Sequence, residues 1–217
     1  MPANIEIKAR ARDFQRQRKI AERISETPGV EFTQEDVFFN TPEGRLKLRL
    51  FADGTGELIF YTRADEAGPR VSHYLRCGFR SPQSVREMLA SSAGVRGTVR
   101  KTRTLYKVGN TRIHFDRVEG LGDFIELEFV MGSSLAGEDG TRIGSTSSLD
   151  PSCTLNRTST LDGTYREAAA ADASGRSEEA GTRGALVLKD LMQKLEIAPE
   201  DLLDKAYIDL LAKDSQD

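Results

Sequence analysis

The sequence predicts an α+β fold built on an antiparallel β-sheet or barrel with flanking helices. Three observations predict it. Short segments of alternating apolar and polar residues recur through residues 1–130, the period-2 signature of strands with one buried face. Short clusters of Gly, Pro, Asn, Asp and Thr separate several of them, as turns do. Stretches with helical spacing of apolar residues interrupt the strands early and return after residue 185.

Ile5–Ala9 alternates and reads as the first strand. A helix follows from about Asp13 to Ser25, with Asp13 as its N-cap, and Thr27-Pro28-Gly29 ends it. Gln34–Asn40 reads as a strand and Thr41-Pro42-Glu43-Gly44 as a turn. Arg45–Phe51 and Gly56–Arg63 alternate around Asp53-Gly54-Thr55-Gly56, the pattern of a hairpin. The segment around His73 reads as loop, with His73 exposed. Ser81-Pro82 opens a short helix to about Ser91. Gly97–Val108, Thr111–Val118 and Asp123–Met131 read as three further strands.

Residues 132–184 are rich in Gly, Ser, Thr, Ala, Asp and Glu with little apolar periodicity, so they read as a low-complexity insertion, disordered or loosely held. Asn156-Arg157-Thr158 is read there as a chance sequon. Leu186, Leu188, Leu191, Met192 and Leu195 restore helical spacing, and Leu202 to Leu211 reads as a second helix. This pair is expected to cover the open side of the sheet. The domain is thus expected to combine residues 1–131 and 185–213.

With 217 residues and 24.0 kDa, the chain fits one domain, or one domain plus a tail. No run approaches the ~18 apolar residues of a membrane span, and the N-terminal MPANIEIKAR has no apolar signal segment. The expectation is a cytoplasmic protein with no membrane partner. Two cysteines and two histidines are too few for a cysteine- or histidine-based metal site. A metal would be held by carboxylates, which favours Mg²⁺ or Mn²⁺. Charge is unevenly spread: residues 1–130 carry 22 Lys/Arg and 18 Asp/Glu, residues 131–217 carry 9 and 16. The front of the chain is where an anionic substrate belongs.

Charge also recurs at strand spacing, where residues i and i+2 share a face. Glu6 and Lys8 are such a pair, as are Lys47 and Arg49, Lys101 and Arg103, and Glu126 and Glu128. Arg112, His114 and Asp116 form a further set, and Tyr61 and Arg63 share a face. A wet sheet face mixes signs between strands. Here some pairs are purely basic and one is purely acidic. Such sorting suits a polyphosphate with its divalent cation, cationic side chains neutralising phosphate and carboxylates holding the metal.

Four stretches follow in order: Ile5-Glu6-Ile7-Lys8, Gly44-Arg45-Leu46-Lys47-Leu48-Arg49, Arg112-Ile113-His114-Phe115-Asp116, and Val118-Glu119-Gly120-Leu121-Gly122-Asp123-Phe124-Ile125-Glu126-Leu127-Glu128. Together they resemble the CYTH superfamily, the triphosphate tunnel metalloenzymes, over residues 4–130 and again at Lys205-Ala206-Tyr207-Ile208-Asp209-Leu210-Leu211. The family includes class IV adenylyl cyclases, thiamine triphosphatases, inorganic tripolyphosphatases and RNA triphosphatases. The cyclase-like and thiamine triphosphatase-like branch is the one this chain resembles.

The resemblance implies a closed eight-stranded antiparallel barrel around a charged tunnel. It implies that Lys8, Lys47, Arg49, Arg63, Lys101, Arg103 and Arg112 bind a triphosphate, and that Glu6, Glu126 and Glu128 bind Mg²⁺ or Mn²⁺. Asp116 and Lys101 become the catalytic candidates, Asp116 near the attacking water or a second metal. The family's opening Glu-x-Glu-x-Lys begins here with Asn4, a neutral and weaker metal ligand than a carboxylate. The expected function is metal-dependent hydrolysis of a small-molecule triphosphate. The alternatives are cyclic AMP formation from ATP and triphosphate binding without turnover. No nucleic-acid partner is expected, and the chain is read as monomer or homodimer.

Overall fold

The computed structural model describes residues 3–131 and 170–214. Its eight described strands are β1 (Ala3–Arg10), β2 (Val30–Phe39), β3 (Arg45–Phe51), β4 (Gly56–Arg63), β5 (Arg70–Phe79), β6 (Val95–Val108), β7 (Thr111–Val118) and β8 (Gly122–Met131). They close into an antiparallel barrel in the order β1-β5-β4-β3-β2-β6-β7-β8, with β8 pairing back onto β1. The barrel is the closed form of the two sheet arrangements that the alternation allows. Closure leaves no sheet edge.

Alternation sorts each strand into two faces, and the barrel is apolar outside and charged inside. On β8, Ile125 and Leu127 are fully buried under helices, while Glu126 and Glu128 face the lumen. Helix α1 (Phe14–Ile24) begins where Asp13 Oδ1 accepts a 3.0 Å hydrogen bond from Arg16 N, the cap read from the sequence. Helix α3 (Ala170–Lys194) lies beside it. Phe14 of α1 and Leu188 and Leu191 of α3 share a core with Ile7, Phe115 and Leu127 of the barrel wall. Each fully buried side chain of this size contributes about 1.5–3 kcal/mol. Helix α2 (Gln83–Ala93) covers Val37, Phe39 and Leu48 of β2 and β3.

The barrel has no open side, so the C-terminal helices are placed differently from the expectation. Helix α3 packs on the outside of β1 and β8. It approaches so closely that a Cβ at Gly184 would lie 2.6 Å from Ile5 Cδ1. Helix α4 (Tyr207–Asp214) closes one end of the barrel, its Ala206–Ile208 edge packing on Phe38, Val99 and Phe124. Asp209 fastens it, accepting hydrogen bonds from Arg45 Nη2 at 2.9 Å and Arg96 Nη2 at 2.6 Å. The second C-terminal helix starts later than Leu202. Pairing of β1 with β5 stops at Glu6, and Leu203 N donates instead to Lys8 O at 2.8 Å. Residues 202–203 are thereby held extended.

Strand β5 is the element read as loop. His73 is exposed, as expected, but on a strand whose lumen face is polar and whose outer face leaves Val71 and Leu75 41% and 47% exposed. Neither face carries the core pattern that marks a strand. Strands β2 and β6 also start earlier than their alternation, at Val30 and Val95. Of the segment read as an insertion, residues 132–169 lie outside the described residues, as does the sequon at Asn156, while 170–184 belong to α3.

Candidate functional site

The lumen is a cavity of about 220 Å³, lined by nine Lys and Arg side chains and five Asp and Glu side chains. The excess of cations makes it a site for an anion. It has a closed end under α4 and an open one. Along the lumen face of β6, Val99, Lys101 and Arg103 are buried, while Leu105 and Lys107 are half-buried. The same gradient runs along β2, from buried Phe38, Asp36 and Gln34 to half-buried Phe32. The mouth is therefore the end holding Phe32, Leu105 and Lys107.

At the closed end Asp116 is fully buried and gathers three donors. Lys101 Nζ lies 3.0 Å away, Arg103 Nε 2.6 Å and the Tyr207 hydroxyl 3.0 Å. Burial by itself would raise its carboxyl, but Arg103 and Lys101 hold it well below the usual carboxylate range. Burial and neighbouring Arg103 bring the Lys101 ammonium down to about 7. Lys8 sits 3.3 Å above the Tyr207 ring, and burial together with Lys101 drives its ammonium well below the usual lysine value. His114 is held neutral by burial and Arg103.

Asp36 is a second hub. Its carboxylate accepts from Lys47 Nζ at 2.9 Å and Arg49 Nε at 2.8 Å. It stays ionised despite burial because Arg49 and Lys47 flank it. Burial and Arg49 lower Lys47 to about 8. A third cationic pair faces Glu6. Arg63 Nη1 is 3.2 Å and Arg70 Nε 3.6 Å from Glu6 Oε1. Arg63 Nε and Nη1 and Arg70 Nε and Nη2 are buried without a hydrogen-bond acceptor. The Glu6 carboxylate is the anionic oxygen beside both, and Arg70 Nη1 donates to Leu203 O at 2.9 Å, tying the strand to the C-terminal segment, so the Arg63 N–H groups are the ones left with room for a further acceptor.

The candidate metal ligands are brought to one side of the lumen. Glu6 of β1 stands opposite Glu128 of β8, and Lys8 opposite Glu126. Each carboxylate is held by donors: Glu126 by cationic Lys8 and Arg103, Glu128 by the neutral amide of Asn4 and by Arg112 at 3.5 Å. Among the described residues, no three His, Cys, Asp or Glu side chains stand in a geometry that could hold a metal ion. The donor chemistry fits a hard divalent cation all the same. Every candidate ligand atom is an oxygen, and Asn4 Oδ1 is buried without a partner beside them.

Every residue nominated from the sequence thus faces or borders the lumen. Strand alternation revealed them because charge in the lumen interrupts apolar runs. It did not reveal Asp36, Arg70 or Gln34. Asp36 lies in a strand read mainly from its apolar residues, and Arg70 on the unrecognised β5. Tyr207 fell inside a motif of the resemblance, but helical spacing marked it only as part of an amphipathic face.

A closed antiparallel barrel with a cationic lumen and a capping C-terminal helix defines a tunnel protein. The chain belongs to the CYTH family, whose CYTH domain description matches residues 2–151. Members of this family are typically enzymes, triphosphatases and cyclases, and the triphosphatases depend on a metal. Among solved structures, the PH1012 protein from Pyrococcus horikoshii OT3 is similar at 21% identity, covering 95% of this chain and 98% of that one, with a TM-score of 0.65. The PH1819 protein of the same organism is similar at 15% identity, 97% and 99% coverage and a TM-score of 0.62. A proposed adenylate cyclase of Vibrio parahaemolyticus is similar at 17% identity, 96% and 97% coverage and a TM-score of 0.56. At these identities the likeness speaks to the fold. A comparison with curated proteins finds no match. No described helix is long and apolar enough to cross a membrane.

Proposed function

We propose that the protein binds a small-molecule triphosphate in the barrel lumen and hydrolyses its terminal phosphate. The observation that carries this reading is the lumen's excess of cations, nine Lys and Arg against five Asp and Glu, with buried Arg63 N–H groups among them that make no hydrogen bond. Three linked phosphates supply anionic oxygens along a chain, which matches cations spread over several strands better than a single anion does. In this reading Lys8, Lys47, Arg49, Arg63, Lys101, Arg103 and Arg112 contact the phosphates.

Glu6, Glu126 and Glu128, with Asn4 Oδ1, would hold a divalent cation. When bound, that cation polarises phosphoryl oxygens and neutralises developing charge. Of the two catalytic candidates, Asp116 serves as an anchor. Held ionised by Arg103 and Lys101, it fixes both cations and is a poor proton acceptor. Lys101 is the proton-transfer group. At about 7 it exists in both protonation states near neutral pH, the condition under which a proton relay works best.

The test is a panel of tripolyphosphate, thiamine triphosphate, ATP and GTP with Mg²⁺ or Mn²⁺, following phosphate release and cyclic nucleotide together. Phosphate release that needs the metal supports the reading. Cyclic nucleotide from ATP would replace hydrolysis by cyclisation, and binding without either product would make the protein a triphosphate-binding module.

A further inference from the structure

The barrel wall repeats one arrangement twice. On β3, Lys47 and Arg49 share a face, and Asp36 of β2 stands directly opposite Arg49. On β6, Lys101 and Arg103 share a face, and Asp116 of β7 stands directly opposite Arg103. The contacts match atom by atom. Arg49 donates from Nε to Asp36 Oδ1 at 2.8 Å and from Nη2 to Oδ2 at 3.0 Å, and Lys47 Nζ donates to Oδ2 at 2.9 Å. Arg103 donates from Nε to Asp116 Oδ1 at 2.6 Å and from Nη2 to Oδ2 at 2.5 Å, and Lys101 Nζ donates to Oδ2 at 3.0 Å. Strands β3 and β6 both pair antiparallel with β2 and so run in the same direction. In each, the lysine lies nearer the closed end than its arginine.

The two carboxylates differ in one respect: Asp36 lines the cavity, where a negative charge repels an anionic ligand. It offsets that repulsion through the cations it holds. Its grip takes the Nε–Nη2 edge of Arg49, which leaves Nη1 without an acceptor among the described residues. Lys47 uses one of its three N–H groups on Asp36, and its Nζ lies 5.6 Å and 5.7 Å from the Phe38 and Tyr61 rings. Both cations are fixed before a ligand arrives, so less rotamer freedom is lost on binding. Asp36 also helps to keep Lys47 charged. Burial, Arg49 and Arg103 lower that ammonium to about 8, and Asp36 opposes them. Tyr61, which faces it from β4, is pushed up to about 12 by burial and stays neutral.

Resting on the triphosphate reading above, we propose that Asp36 is a positioning residue of the phosphate site: it clamps Arg49 and Lys47 as a pair, as Asp116 clamps Arg103 and Lys101, and leaves their remaining N–H groups for the phosphates. Asp36 itself touches no phosphate. It acts through the two cations, setting the orientation of one and the protonation of the other.

The experiment is calorimetric titration of tripolyphosphate with Mg²⁺, between about pH 6 and 9, into the full chain and into Asp36→Asn and Asp36→Glu. If charge balance alone mattered, removing a carboxylate from an anion site would tighten binding. Positioning predicts the opposite sign. Asp36→Asn should bind at least about tenfold more weakly near neutral pH, the equivalent of one hydrogen bond to a charged group. Its affinity should also begin to fall at a lower pH than that of the unaltered protein, because Lys47 has lost a neighbour that holds its proton. A role in stability alone would change affinity equally at every pH. Asp36→Glu keeps the charge and displaces the clamp, so it should weaken binding and leave the pH of the fall unchanged; it decides the matter if Asp36→Asn does not fold. Equal or tighter binding by the folded variants, or a pH profile of Asp36→Asn parallel to that of the unaltered protein, overturns this role while the triphosphate reading stands. Failure of the unaltered protein to bind tripolyphosphate overturns both.

Discussion

The two ends of the tunnel are made from the same strands and behave as different media. At the closed end Lys101, Arg103 and Asp116 are buried and hydrogen-bonded to one another. At the mouth the ion pair of Arg76 and Glu57 is spaced at 3.8 Å and half open to solvent. The difference is solvent. Where α4 excludes water, each charge depends on its partner and proton affinities move far. Where water enters, pairs are screened. On the proposed function, the closed end is the part suited to phosphate chemistry.

The largest expected effect follows from breaking the closed end. Asp116→Asn leaves Lys101 and Arg103 buried without their shared anion, which costs about 3–5 kcal/mol in comparable buried pairs. Glu57→Gln at the mouth should change stability by less than about 0.5 kcal/mol. Chemical denaturation of both variants measures the contrast. Equal losses would mean that the two ends do not differ as described. Added tripolyphosphate should restore part of the lost stability of Asp116→Asn, because phosphate oxygens replace the missing carboxylate.

Metal binding sharpens the comparison midway along the tunnel. Asn4 Nδ2 donates to Glu128, so Asn4→Asp sets two carboxylates against each other. Without metal the variant should melt lower than the unaltered protein. With Mg²⁺ or Mn²⁺ the order should reverse, and half-saturation should fall by roughly 5- to 150-fold if the new ligand contributes ~1–3 kcal/mol, by analogy with charge-assisted hydrogen bonds. A thermal melt against metal concentration reads both signs. Metal dependence equal to that of the unaltered protein would place residue 4 away from the cation.

Acid–base behaviour gives a smaller effect of opposite signs. Lys101 titrates at about 7, against 10.5 for an unburied lysine. Between those values the unfolded chain binds the proton that the folded chain has released, so the stability of the ligand-free protein should rise with pH there. Over the same window the site loses a cation, so tripolyphosphate affinity should fall. Lys47, at about 8, adds to both trends. Lys101→Arg should flatten the affinity profile between pH 7 and 9. An unchanged profile would mean that Lys101 keeps its proton throughout.

The smallest effect concerns the cap. Tyr207→Phe removes one hydrogen bond to Asp116 and keeps the ring beneath Lys8. The expected loss is about 1 kcal/mol, read as a small fall in denaturation midpoint. A loss as large as that of Asp116→Asn would make the hydroxyl, and not the ion pairs, the main support of the closed end.

The sequence displays these regions unequally, for physical reasons. Strands β3, β4 and β7 could be bounded from alternation because their lumen charges interrupt apolar runs that helices cover. Strand β5 escaped because its outer face is left uncovered and its inner face is polar. Arg70 went with it. Phe32 was missed because the first residues of β2 bury little, so no core pattern marks them. Asp36, opposite Arg49 across the β2–β3 ladder, became legible only once closure of the barrel set which strands are neighbours. Charges on adjacent strands can be sorted into partners only from register, which a linear pattern does not contain.

The central claim is that buried guanidinium donors on the closed side of the lumen receive a triphosphate. Its most direct test is the dissociation constant of tripolyphosphate, measured by calorimetry with Mg²⁺ for the unaltered protein and for Arg63→Gln. The account predicts saturable binding to the unaltered protein and a roughly 10- to 150-fold loss in the variant, the equivalent of the ~1.5–3 kcal/mol typical of hydrogen bonds to charged groups. No saturable binding to the unaltered protein, or equal affinity in the folded variant, would contradict it.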